Sequence, residues 1–276
     1  MYDRVINLIG PDNFDILSKK KILLVGVGGV GGFVFEALIR SGIKNITVYD
    51  GDTVEITNLN RQLVANLGTI GKYKSDIAVS KAKKINEDIN VSGYNKFLDA
   101  SNIIDLDKDY DYIIDACDSI NTKLELIRFA EDKNIKIISS MGVGNRVDAS
   151  KLIITRLNKT CNDPLAKKLR KLVKDNNLNM NTLVLCSKEV PIKKGKVDSL
   201  ITLPGVAGLL IANYVINDLI NLYWLKMLLI LQVLFCNLLY HLLSLLKEFL
   251  FLFFVIIYIL NLKYNILQLY YLKDTC

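Results

Sequence analysis

The chain has 276 residues, which is enough for one large α/β domain with a well-buried core. Its formal net charge is +7, and a basic balance favours anionic partners such as nucleic acid or a membrane surface. The five cysteines form no C-x-x-C pair, and the single histidine, His241, lies in an apolar tail. This excludes a structural zinc site of the usual spacing, and Ser-His or Cys-His catalysis in the globular part. The first residues do not resemble a secretory signal peptide, so we expect a cytoplasmic protein with reduced cysteines.

A short helix and a loop are predicted over residues 2–19, and a buried strand follows at residues 21–25. Glycines then fit the pattern G-x-G-x-x-G. The first allows a tight turn, the second lets a phosphate approach the backbone, and the third lets the next helix pack closely. The glycines of this turn are Gly26, Gly28, Gly29 and Gly31. Because a helix is predicted over residues 31–41, its N–H groups would favour a phosphate.

An acidic turn follows the next predicted strand, residues 45–49. Asp50 at its carboxyl end is placed to bind a ribose hydroxyl, and Asp52 comes two residues later. Strand, glycine turn, helix, strand and aspartate in this order indicate a nucleotide site. A dehydrogenase that binds NAD is the first alternative.

Cationic and amide side chains beyond the acidic turn argue against that alternative. Asn58 and Arg61 lie within residues 57–62, and a guanidinium offers paired donors to phosphate oxygens. Lys74 then stands at the start of a helix predicted over residues 75–90. NAD needs no such cations, so a triphosphate is the better fit.

A second informative stretch ends a predicted central strand within residues 110–115. Asp115 and Asp118 fall at its carboxyl end, where ligands bind in open parallel sheets. Asp118 could hold Mg²⁺ on nucleotide phosphates, or it could cap the helix predicted over residues 121–133. We interpret Cys117 as a small buried hydrophobic residue rather than a nucleophile.

The remaining elements complete a Rossmann-like α/β fold, with a doubly wound, mostly parallel sheet and added antiparallel strands. The pattern predicts strands at residues 91–97, 135–139, 151–157 and 182–187, and a buried helix at residues 203–220. The helix at residues 165–174, with Asp163 as its N-cap, is strongly basic. It is either a solvated face or a patch for a nucleic-acid backbone.

The ordered motifs resemble the ThiF/MoeB-type adenylating family, relatives of ubiquitin-activating enzymes. The resemblance covers residues 2–220 and rests on a set of motif residues. These are Arg4, the glycine turn, Asp50, Asp52, Asn58, Arg61, Gln62, Gly71, Lys74, Asp115, Ala116, Asp118 and Ser119. The family's two C-x-x-C zinc pairs are absent. The segments near residues 163–170, 187–189 and 204–208 resemble the branch that modifies tRNA, the threonylcarbamoyladenosine dehydratases.

The resemblance implies ATP-dependent activation of a carboxylate on tRNA, followed by ring closure with loss of AMP. ATP would contact the glycine turn, Asp50, Asp52 and Asn58. Arg61 and Lys74 would stabilise its phosphates, and Asp118 would hold Mg²⁺.

Partners are also implied. Arg4 would reach the ATP of the other subunit in a homodimer, and the helix at residues 165–174 would face tRNA. A cysteine desulfurase system is an implied sulfur-transfer partner. Two alternatives stay open, namely an enzyme that adenylates a sulfur-carrier or ubiquitin-like protein, and a non-catalytic or NAD-binding module.

The predicted domains are an adenylating domain at residues 1–220 and a hydrophobic helical tail at residues 221–276. The tail contains no Gly, Ala, Pro or Arg, and residues 227–246 are uncharged and long enough to span a bilayer. Asn237, His241 and Ser244 share a helical face with Lys226, which favours an interfacial helix instead. A frameshift product of an AT-rich gene is the third interpretation.

Overall fold

The computed structural model describes residues 1–106, 109–192 and 195–220, together with six single positions beyond residue 220. The chain divides into two compact units, Met1–Ile220 and Asn221–Cys276. The predicted tail therefore lies almost wholly outside the described residues. Within the described part of the chain, no helix has the length and apolar character needed to cross a membrane.

Seven strands form one sheet in the order β3-β2-β1-β4-β5-β7-β6. All neighbouring strands run parallel except β6 and β7, which are antiparallel. The strands are β1 (Lys21–Val25), β2 (Asn45–Tyr49), β3 (Asn90–Tyr94), β4 (Tyr112–Asp115), β5 (Lys136–Ser140), β6 (Leu152–Arg156) and β7 (Leu183–Ser187). The predicted α/β class, with a mostly parallel sheet and an antiparallel addition, is confirmed.

Seven α-helices accompany the strands in the described residues. They are α1 (Asp3–Ile9), α2 (Pro11–Lys19), α3 (Gly31–Arg40), α4 (Lys74–Ile85), α5 (Ile120–Asp132), α6 (Pro164–Asp175) and α7 (Thr202–Leu219). The strand order reverses between β1 and β4, and the carboxyl ends of these two strands open a crevice between the loops that follow them. The candidate active site lies in this crevice.

The central strands β1 and β4 are apolar on both faces because helices cover both sides of the sheet. Leu23 and Ile113 lie in one core cluster with Leu126 of α5. A second cluster joins α5 to α6, where Leu169 and Val173 are fully buried. Each such side chain stabilises the fold by about 1.5–3 kcal/mol relative to an exposed one. The face that α6 turns to solvent is fixed by this packing.

Strand β3 ends at Tyr94, three residues before the predicted end of that strand. Its register pairs Tyr49 with Tyr94, and β2 ends at Tyr49, so the residues after Tyr94 have no strand partner there. The two tyrosine rings stack with centroids 4.6 Å apart. The chain then turns toward the crevice instead of extending the sheet.

Candidate active site

The glycine turn between β1 and α3 requires glycine at two positions. Gly26 has φ +87°, and a Cβ there would lie 2.9 Å from the carbonyl oxygen of Ala116. A Cβ on Gly31 would lie 1.8 Å from the carbonyl oxygen of Gly26. The first turn of α3 can therefore pack against the end of β1 only because Gly31 has no side chain, and the glycine turn can approach the end of β4 only because Gly26 has none.

The turn borders a cavity of about 330 Å³ at the carboxyl ends of the central strands. No side chain caps the N-terminus of α3, and Gly29 and Val30 at that end line the cavity. A helix N-terminus of this kind is a site for an anionic group. Eight of the predicted site residues line the cavity, namely Gly26, Gly28, Gly29, Asp50, Asp52, Arg61, Lys74 and Asp118.

Asp50 is held rigidly beside the glycine turn and is only 7 % exposed. One carboxylate oxygen accepts the N–H of Val27 at 2.8 Å, and the other accepts the N–H of Asp52 at 2.9 Å. Desolvation by burial raises the pKa of Asp50, although these two backbone N–H groups oppose the shift. Each carboxylate oxygen has a second lone pair, so the group can still accept hydrogen bonds from a ligand.

Two predicted cations, Lys74 and Arg61, line the cavity. The ammonium group of Lys74 lies 2.8 Å from Asp52 Oδ2, and the Lys74 N–H donates to the Asp52 carbonyl. Nη1 of Arg61 donates to the Thr57 carbonyl and to Asn60 Oδ1, both at 2.9 Å. Lys74 is buried, so its charge is presented to the cavity rather than to bulk solvent.

Two carboxylates at the end of β4, those of Asp115 and Asp118, lie in different environments. Asp115 is fully buried and lies 3.0 Å from Lys123 Nζ, which also donates to the Ser140 carbonyl at 2.8 Å. Asp118 is exposed at the cavity and has no ion-pair or hydrogen-bond partner among the described residues. Ser119, rather than Asp118, caps α5 by accepting the Thr122 N–H. Asp118 is therefore free to act as a ligand.

Cys117 lies at the cavity between these carboxylates. Burial raises the pKa of its thiol, and the neighbouring Asp115 raises it further. A thiol that resists ionisation is a poor nucleophile.

Three of the predicted site residues lie outside the cavity lining of the described structure: Arg4, Gly31 and Asn58. Gly31 acts through backbone packing. Asn58 is buried, its Oδ1 accepts the Glu55 N–H, and its carbonyl accepts the N–H groups of Arg61 and of the next residue. Asn58 thus positions the loop that carries Arg61. Arg4 is exposed on α1.

Several lining residues were not predicted as site residues. Gln62 is 8 % exposed and its Oε1 lacks a partner among the described atoms. Phe97 is mostly exposed, and its ring leaves no room for a Cβ on Gly51, which would lie 2.7 Å from it. Lys96 and the loop at residues 141–144 also line the cavity. The early end of β3 brings residues 96–98 to the cavity, and only the strand register reveals it.

Comparison with known proteins identifies the family. The ThiF family model matches residues 2–238. The chain is 34% identical over 233 residues to tRNA threonylcarbamoyladenosine dehydratase of Bacillus subtilis, covering 77% of this chain and 92% of that protein. It is 40% identical over 176 residues to the Haemophilus influenzae protein of the same name, covering 63% of this chain and 67% of that protein.

A solved structure agrees with these relatives. The crystal structure of E. coli tRNA N6-threonylcarbamoyladenosine dehydratase in complex with ATP matches with a TM-score of 0.75 and 28% identity. The match covers 80% of this chain and 93% of that chain. From the family model, the relatives and the shared fold together, the chain belongs to the ThiF family.

Proposed function

We propose that the chain is an ATP-dependent tRNA threonylcarbamoyladenosine dehydratase. The observation that carries this is that the glycine turn, Asp50, Arg61, Lys74 and Asp118 all line one cavity. That set suits a nucleoside triphosphate, because it combines N–H donors, a ribose acceptor and cations. The relatives named for this activity and the ATP-bound neighbour support it.

The reaction proceeds in two steps. A carboxylate oxygen of the threonyl group on the modified adenosine attacks the α-phosphate of ATP, and the bond to pyrophosphate breaks. The carbamoyl group of the same side chain then attacks the activated carbonyl and releases an N–H proton to solvent, and the bond to AMP breaks as the ring closes. The second step is intramolecular, so proximity supplies most of its acceleration and no histidine is needed.

Each site residue has a proposed role in the first step. The turn at Gly26, Gly28 and Gly29 cradles the phosphates, and Asp50 accepts a ribose hydroxyl. Arg61 and Lys74 stabilise the charge that develops on the leaving pyrophosphate, as preorganised electrostatic catalysis. Asp52 aligns the Lys74 ammonium through the 2.8 Å contact.

Asp118 would hold Mg²⁺, which supplies charge neutralisation on the phosphates. An exposed, unpartnered carboxylate fits this ion, because Mg²⁺ is held by one or two carboxylates together with waters and substrate phosphates. Within the described residues no cluster of three metal-binding side chains exists, so the phosphates would complete the coordination.

A homodimer in the cytoplasm is part of the proposal. Arg4 is exposed and is not among the residues that line its own cavity, which suits a contact with the ATP of a second copy. Sulfur transfer from a cysteine desulfurase and membrane attachment through residues 221–276 stay predictions, because no contact among the described residues bears on either.

The test measures pyrophosphate release from ATP by the full chain. We expect release with tRNA that carries threonylcarbamoyladenosine, and none with a sulfur-carrier protein or with unmodified tRNA. Release with the carrier protein alone would assign the alternative adenylating function. Binding of NAD without binding of ATP would contradict both adenylating functions.

Matched variants test the site. Lys74→Ala should lower the rate of pyrophosphate release by about 10²–10³-fold, the scale of removing one preorganised charge donor. Lys72→Ala is the control, because Lys72 is exposed two residues away and does not line the cavity. Equal rates for the two variants would refute the role of Lys74.

A further inference from the structure

The excess of basic over acidic residues that gives the chain its net positive charge lies in one segment. Residues 151–174 contain eight Lys or Arg residues and a single acidic residue, Asp163. The whole chain has 35 basic and 28 acidic residues, so the two signs balance outside this segment. Asp163 is buried and serves as the N-cap of α6, where it accepts the Ala166 N–H. It therefore does not neutralise the surface of α6, whose one exposed acidic residue is Asp175 at the last position of the helix.

Helix α6 presents four lysines to solvent on one side. Lys167, Lys168, Lys171 and Lys174 are exposed, and among the described residues none of them has an ion-pair partner. We call these four residues the lysine face. Lys171 lies four residues after Lys167 and three after Lys168, and Lys174 lies three residues further on, so the four share one side of the helix over about 10 Å.

Packing holds the lysine face outward. Ala166, Leu169 and Val173 on the opposite side of α6 are fully buried against α5 and β7. Arg170 between the two sides donates to the Thr160 carbonyl at 3.0 Å, which fixes the rotation of the helix. The lysines cannot turn inward without exposing these apolar side chains.

The lysine face starts beside the cavity. Leu165, in the first turn of α6, lines the cavity. Asp163 Oδ1 lies 3.5 Å from where a Cβ of Gly142 would stand, and Gly142 also lines the cavity. A polyanion with one group in the cavity would therefore have its flanking phosphates next to α6.

We propose that the lysine face binds the phosphate backbone of the RNA stem-loop that carries the substrate nucleotide. This inference rests on the proposed function. Lysine ammonium groups contact RNA phosphates without reading sequence, whereas the cavity takes the reacting nucleotide from a loop in which bases are unstacked. The lysine face thus supplies affinity for the RNA and orients it, while catalysis occurs in the cavity.

The test replaces all four lysines by glutamine in the full chain, as Lys167→Gln, Lys168→Gln, Lys171→Gln and Lys174→Gln. A matched control removes four exposed lysines elsewhere, as Lys19→Gln, Lys21→Gln, Lys84→Gln and Lys133→Gln. Pyrophosphate release is measured against concentration of substrate tRNA at several salt concentrations. Circular dichroism and the KM for ATP report whether each variant is folded and binds nucleotide normally.

We expect the α6 variant to raise the KM for tRNA by about tenfold or more, with kcat at saturating tRNA and the KM for ATP unchanged. The slope of log KM against log salt should fall by about three to four, near one for each lost phosphate contact. The control variant should match the wild type in its KM for tRNA and in its salt slope. Both variants lose four positive charges, so a larger rise in KM for tRNA in the α6 variant than in the control reports a local contact rather than the loss of net charge.

Three results would overturn the inference. The first is an α6 variant whose KM for tRNA and salt slope equal those of the control. The second is an α6 variant that loses binding to vesicles of anionic phospholipid while its KM for tRNA is normal. The third is a wild type that does not turn over substrate tRNA, which removes the proposed function as well. Wild-type turnover with an unaffected α6 variant removes only the inference.

Discussion

The buried ion pair between Asp115 and Lys123 gives the sharpest stability prediction. Both side chains are fully buried, and Lys123 Nζ lies 3.1 and 3.0 Å from the two carboxylate oxygens. The pair joins the end of β4 to α5, and Lys123 also holds the Ser140 carbonyl of β5. Lys123→Met removes the ammonium and leaves an uncompensated buried carboxylate. We expect the free energy of unfolding to fall by about 3–5 kcal/mol.

The assay is equilibrium unfolding in urea at neutral pH. Lys136→Met is the matched control, since Lys136 Nζ also lies 3.0 Å from its partner, Asp218 Oδ2, but at the surface. A surface pair contributes at most about 1 kcal/mol. The double variant Lys123→Met/Asp115→Asn should recover part of the loss, because the orphaned charge is gone. A cost for Lys123→Met no larger than that of Lys136→Met would refute the reasoning.

Three further predictions concern the cavity and the glycine turn beside it. Gly31→Ala should abolish ATP binding in calorimetry and lower the melting temperature, because its Cβ would stand 1.8 Å from the Gly26 carbonyl oxygen; Gly195→Ala, where a Cβ meets nothing within 4 Å, should do neither. Asp50→Asn should lose ATP affinity yet gain stability relative to wild type as pH rises above 3.8, the ordinary pKa of the group. The unfolded chain ionises there while burial keeps the native Asp50 pKa higher, so Asp50 contributes a loss of stability through that window that the variant lacks; a melting-temperature difference between variant and wild type that is constant with pH would contradict this. Cys117→Ala should keep pyrophosphate release within about threefold of wild type, since burial raises the pKa of the thiol and disfavours the thiolate, and a hundredfold loss would make the thiol a reactant.

Local sequence patterns predicted those strands, turns and helix caps that depend only on residues close together in the chain. An apolar run ended by glycines identified β1 and the glycine turn, because a strand covered on both faces and a close approach of two backbone segments need those residues. The position of Asp50 at the cavity followed from its place directly after β2. The N-cap role of Asp163 followed from the proline and helix after it, and the structure bears it out.

Tertiary partners decided what local patterns missed. The early end of β3 depends on where β2 ends, so Phe97 was assigned to a strand rather than to the cavity. The Asp115–Lys123 pair joins a strand to a helix, and no helical or strand periodicity reports such a contact. The resemblance implies a nucleotide contact for Asn58, and no sequence pattern reports that its carbonyl and side chain also hold the Arg61 loop.

The most direct test of the proposed function is the fate of the nucleoside itself. The purified full chain is incubated with ATP, Mg²⁺ and tRNA that carries threonylcarbamoyladenosine, and the digested nucleosides are examined by mass spectrometry. We expect the modified nucleoside to lose one water, with AMP and pyrophosphate formed in equal amounts, and Arg61→Ala to prevent the loss. An unchanged nucleoside in the presence of ATP, with the chain folded and ATP bound, would contradict the proposed function.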